Sequence, residues 1–133
     1  MPKVIKGNAG RKPPEPSSNH DEIVRWIGRQ MPDLQDIVEQ LDNAIRNALA
    51  NLQFAVSRKR VYYGVPELGW IIEMVAYDVS VNVVFLGGAD FEPPPPLGTT
   101  DRTRYVKVTT EAEAQRPELL KWIEQAGRIT GWK

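Results

Sequence analysis

Apolar residues recur along this chain with two periods, and the switch between them divides it into helices and strands. Ile23, Trp26 and Ile27 repeat at helical spacing behind Asn19, which serves as an N-cap. Asp21 and Glu22 fall in the first turn, where negative charge suits the helix dipole. Pro32 ends that short helix. From Asp33 the pattern strengthens: Leu34, Ile37, Val38, Leu41, Ala44, Ile45, Ala48 and Leu49 lie on one stripe at i, i+3, i+4, i+7. After Leu52 the period becomes two. QFAVSRKRVYYG, 53–64, predicts one strand or a pair of short ones, and GVPELG is a turn. WIIEMVAY, 70–77, and VSVNVVFL, 79–86, then predict two long strands of a tight hairpin with only Asp78 between them. TRYVKVT, 103–109, alternates again. Thr110 with Glu113 forms a capping box, Pro117 suits the first turn of the helix that follows, and Leu119, Leu120, Ile123 and Ala126 supply its stripe. Gly127 terminates it.

This order predicts an α+β fold: a two-layer sandwich whose antiparallel sheet of 4–6 strands carries two N-terminal helices and one C-terminal helix on one face. Residues 1–19 have no periodicity and are rich in Gly, Pro, Ser and Lys, so they read as a flexible basic arm ahead of a single domain at 20–133. With 133 residues the chain is long enough to bury roughly two-thirds of its unfolded surface. Lys plus Arg and Asp plus Glu number 17 each, so no overall field draws it to nucleic acid or an acidic membrane; the basic arm alone would hold duplex DNA, weakly. There is no cysteine, which removes disulfides and thiolate chemistry. No stretch approaches the roughly 18 apolar residues of a membrane span, and cytoplasmic is the default expectation.

The run PPPP at 93–96 joins two strands and admits two readings. Pro93 and Pro96 have the spacing of a polyproline docking ligand, but the near flank carries Asp90 and Glu92 rather than a basic residue. The favoured expectation is a rigid connector that also keeps the adjoining sheet edge from pairing.

Laid out this way, the chain resembles the YdhG-like family of small bacterial domains, whose fold is close to frataxin. The likeness covers roughly 20–127 and rests on LQFAVSRKRVYYG, IIEMVAYDVSVNVVFLGGADF, RYVKV and PELLKWIEQAG. The stretch AYDVSVNVVFLGGA is its most telling part. One departure stands out, because the family usually has Trp-Gly where this chain has Arg58-Lys59. The resemblance implies a two-layer α/β sandwich and, for some relatives, a frataxin-like iron-handling role.

A hydrolytic triad or a histidine metal site needs positioned imidazoles, and His20 is the only histidine, at the border of the arm. Gly87-Gly88 precede the proline loop, not a helix, and read as strand punctuation and not a phosphate cradle. No pair of carboxylates stands out for acid–base catalysis. Asp33, Asp36 and Glu39, with Asp42 continuing the series, are oxygen ligands of the kind iron accepts. Steps of three drift about 60° around a helix, however, and Asp42 can pair with Arg46 at i+4, so a solvated, dipole-matched face is expected. Arg58, Lys59 and Arg60 offer an anion site or solvated strand charges. Trp26, Trp70 and Trp122 read as core.

The strands leave one further candidate. If all the helices cover one sheet face, alternation turns Val79, Val81, Val83 and Phe85 inward and leaves Ser80, Asn82, Val84 and Leu86 opposite. Tyr105 and Lys107 then face out beside Glu73 and Tyr77, because burying an unpaired carboxylate costs several kcal/mol. Arg58, Arg60 and Tyr62 join them if their strand has no bulge. The expected function is a non-enzymatic binding domain that engages a protein or small ligand through Arg60, Tyr62, Glu73, Tyr77, Asn82, Tyr105 and Lys107, with no cofactor, no metal, no specific nucleic acid and no membrane. The alternatives are an iron-binding chaperone using the helix carboxylates and an enzyme of uncharacterised type.

Overall fold

A computed structural model describes residues 12–98 and 100–133. The first helix, α1, spans Asp21–Gly28 and buries Ile23 and Trp26. Its N-cap is His20 and not Asn19, whose side-chain oxygen accepts from the Asp21 N–H at 2.9 Å one residue ahead of the cap. Pro32 is not what ends α1, which stops at Gly28 with Arg29, Gln30 and Met31 still to come. It opens α2, Pro32–Ala48, from the first-turn position where its missing N–H costs nothing. Leu34, Ile37, Val38, Leu41 and Ile45 form the buried stripe of α2, each contributing about 2 kcal/mol of apolar burial. Asp42 lies on the same stripe and is also buried.

Five strands follow: β1 Gln53–Ser57, β2 Arg60–Val65, β3 Gly69–Ala76, β4 Val81–Phe85 and β5 Arg104–Val108. They form one antiparallel sheet in the order β1-β2-β3-β4-β5. Arg58 and Lys59 are not strand residues. Ser57 faces Arg60, and the two residues between turn the hairpin with φ of 54° and 67°. Two consecutive positive φ values are what a two-residue turn matched to the strand twist requires, so Arg58 and Arg60 do not share a strand face. The β3–β4 connection is also longer than expected. Tyr77 through Ser80 form the turn, closed by the Tyr77 N–H to the Ser80 carbonyl at 2.8 Å. Val79 therefore falls outside β4 and is 77% exposed, not turned into the core.

Behind β5 the capping box forms a separate short helix, α3 (Glu111–Ala114), before Pro117 starts α4 (Pro117–Ala126). All the helices lie on one face. Ile23, Leu41, Ala114 and Ile123 share a core cluster with Val61, Met74, Val83 and Val108 of the strands. The fold is thus the α+β two-layer arrangement that the periodicities predict.

Each sheet edge carries one backbone bridge to an irregular segment. Ser17 exchanges backbone hydrogen bonds with Phe54 along β1, at 3.0 and 2.7 Å, so the last residues of the arm are bonded to the sheet; residues 1–11 lie outside the described residues. On the far side Leu97 does the same with Tyr105 of β5, at 3.1 and 2.8 Å. The proline run is held from behind, where the Trp122 indole donates to the Pro93 carbonyl at 2.8 Å. Pro95 is buried while Pro93 and Pro96 are exposed.

Candidate functional site

Strand parity alone brings six of the seven expected residues to the face that carries no helix, and Tyr77, in the turn after β3, borders the same face. Pairing across the sheet sets five of them, with Val84 and Val75, in two rows: Tyr62, Glu73, Val84 and Tyr105 in one, and Val75, Asn82 and Lys107 in the next. The only irregularity in β2 lies between Tyr63 and Gly64, beyond Arg60 and Tyr62, and so leaves their direction intact.

Parity does not say what lies above a face, and here the expectation of an exposed surface needs correction. Glu73 is 4% exposed, Tyr62 is buried, and Asn82 is 9% exposed. Glu73 tolerates burial because Arg60 reaches across from β2 and donates to its Oε2 at 2.8 Å. The hydrogen bond to Glu73 raises the Arg60 pKa above its ordinary value, against the opposing effect of desolvation, so the guanidinium keeps its charge.

The face has two halves. In one, the C-terminal tail folds back: Gly131 donates to the Leu68 carbonyl, and Trp132 and Trp70 exchange backbone hydrogen bonds at 2.8 Å. A second apolar cluster results, with Tyr62, Trp70 and Trp132 packed ring against ring at 5.8 and 6.1 Å over Ala55 and Leu86. Trp70 is therefore core, but core of the helix-free side. In the other half lies a depression of about 290 Å³ lined by Arg60, Glu73, Val75, Tyr77, Asn82, Val84, Leu86, Thr100, Thr103 and Tyr105. The loop before β5 forms one wall, folded by Arg104, which donates to the Thr100 and Thr103 carbonyls at 2.6 and 2.8 Å. Tyr77 is half-exposed, and the Lys107 ammonium stands 5.4 Å from its ring centroid.

One of the residues that line this depression carries an unusual atom. Asn82 Oδ1 is the one buried side-chain oxygen or nitrogen without a hydrogen-bond partner among the described residues. Such an atom costs about 1–3 kcal/mol, and folded chains keep few of them. Five of the seven expected residues line the depression. Tyr62 and Lys107 do not: the first belongs to the tryptophan cluster, and the second covers Tyr77 and reaches Ser80 Oγ at 3.5 Å. Thr100 and Thr103 escape sequence reasoning, since no periodicity tells which way an irregular loop folds.

A larger groove of about 360 Å³ separates α2 from α3 and α4 and is lined by side chains such as Gln40, Asn47, Leu119 and Leu120. It has no buried polar atom left unpaired, and size alone does not mark a site.

The helix side carries a polar cluster that the sequence conceals. His20 Nε2 lies 3.0 and 2.9 Å from the two carboxylate oxygens of Asp42, and the Tyr63 hydroxyl donates to Asp42 Oδ1 at 2.7 Å. Arg46 approaches at 3.5 Å, the i+4 pairing expected of it, but three groups share the carboxylate. Burial, then the Asp42 charge, raises the Tyr63 pKa well above the ordinary tyrosine value. The cluster ties α1, α2 and β2 together. Residues 22 and 21 apart in sequence give no periodic signal of it. Asp33, Asp36 and Glu39 stand exposed on α2, and no group of three or more metal-ligating side chains converges among the described residues.

No family model, curated protein or solved structure matches the chain. No helix among the described residues is long and apolar enough to cross a membrane.

Proposed function

We propose that the protein is a non-enzymatic binding domain that holds a small ligand, or a side chain of a protein partner, in the depression on its helix-free sheet face. The observation that carries this reading is that Asn82, which lines that depression, holds the one buried side-chain oxygen or nitrogen left unpartnered among the described residues. Rotation of the Asn82 side-chain amide would bring that oxygen into the depression, where a ligand that donates an N–H or O–H recovers the hydrogen bond the free protein forgoes. Tyr77 and Tyr105 offer aromatic walls, Val75, Val84 and Leu86 an apolar floor, and the Arg60–Glu73 pair a polar rim. The one histidine is committed to Asp42 on the opposite, helix side of the sheet. Kinship with YdhG-like domains is part of the same proposal and rests on the sequence stretches quoted for it.

Native mass spectrometry of the protein isolated from cells tests this reading. Wild type should retain a small molecule, or capture a protein, that a folded Tyr77→Ala/Tyr105→Ala variant loses. Equal retention by both would move the site off this face.

A further inference from the structure

The other half of the helix-free face holds a proline-rich segment of the chain itself. Residues 13–16 read Pro-Pro-Glu-Pro, and three prolines in four positions favour a polyproline II strand, whose carbonyls can only be paired from outside. Such a donor is present. The Trp70 indole Nε1–H donates to the Pro14 carbonyl at 3.2 Å. Pro13, Pro14 and Pro16 line a cleft of about 330 Å³ with Trp70 and Trp132, and Lys133 stands at its margin. Flat aromatic walls, an indole donor and a proline strand are the parts by which polyproline ligands are generally recognised. Tyr62 packs against both indoles, its ring centroid 5.8 Å from that of Trp70 and 6.1 Å from that of Trp132.

We infer that this cleft is a polyproline-binding site, occupied in cis by Pro13–Pro16, which takes a proline-rich strand of a partner protein in exchange. Two features favour exchange over a permanent seal. The resident strand is itself only partly buried, with Pro13 and Pro14 half-buried and Glu15 and Pro16 exposed, and open volume remains along the cleft it lines. The backbone bonds that fasten the arm to β1 lie one residue beyond it, at Ser17, so the prolines can leave while that bridge stays closed. The site is separate from the Asn82 depression and stands without it.

A tethered strand competes at an effective concentration of about a millimolar. The full chain should therefore bind a free peptide of residues 12–18, KPPEPSS, at least roughly ten-fold more weakly than a full-length Pro13→Ser/Pro14→Ser/Pro16→Ser variant. Titration followed at the tryptophan indole N–H resonances reads this directly. A peptide with serines for prolines should bind neither protein. In the variant background Trp70→Phe keeps a ring but loses the donor, and should weaken the peptide roughly five-fold. A spin-labelled peptide checks the location on the wild-type chain itself, where it should broaden the Trp70 and Trp132 indole signals. Equal affinity for both chains, no binding by the variant, equal binding of the serine peptide, or broadening confined to other residues would each overturn the inference. So would a wild-type dimer that the variant cannot form, because the cleft would then belong to a second copy.

Discussion

Asn82 faces Val75 on one side and Lys107 on the other, and its orphaned oxygen is a residue-scale defect that folding alone does not explain. If the oxygen is kept for a ligand, removing it should help the empty protein. Asn82→Leu is expected to raise unfolding stability by about 1–2 kcal/mol, measured by urea titration, while abolishing retention of the ligand. A loss of stability would mean that Asn82 has a structural partner. Tyr63 makes the opposite case, a polar group fully committed within the fold. Its folded pKa is raised, so above about pH 10 the unfolded chain releases the phenolic proton while the native chain keeps it. The native state then binds more protons, and stability falls as pH rises through that range. Tyr63→Phe should flatten this alkaline decline and lower stability at pH 7 by about 1–3 kcal/mol, since Asp42 loses a donor. An unchanged alkaline slope would contradict the assignment.

At the scale of elements, much was legible because helix and strand periods differ and β-alternation assigns faces. The stripe of α2 and the inward set Val81, Val83 and Phe85 are found where pattern puts them. The misses sit at turns, where a few backbone angles decide and hydrophobicity is silent. Val79 belongs to a turn of four residues, and Arg58-Lys59 turns β1 into β2 with side chains that disfavour positive φ. A non-glycine residue there costs about 1–2 kcal/mol. Lys59→Gly should therefore stabilise the protein by about 1 kcal/mol in the same urea assay, with the Trp26 indole still bonded to the residue 59 carbonyl. A neutral or destabilising result would show that the lysine side chain does work the backbone does not reveal.

On the scale of the whole molecule, the arm, the proline loop and the C-terminal tail convert an open sheet into one with guarded edges and a half-covered outer face. Alternation could place Glu73, Asn82 and Tyr62 on that face, yet it could not show that Arg60, Trp132 and the loop at Thr100 and Thr103 would roof it. Those contacts join residues distant in sequence through segments with no period. What remains accessible is the depression lined by Asn82, the proposed ligand site in preference to the larger groove that separates α2 from α3 and α4. Protein-observed NMR with a library of small amides, amines and heteroaromatic N–H donors tests it most directly. Hits should shift the Asn82 side-chain amide together with Tyr105 and neighbouring β4 and β5 backbone signals. Hits that gather around Gln40, Leu119 and Leu120 and leave Asn82 unmoved would contradict it.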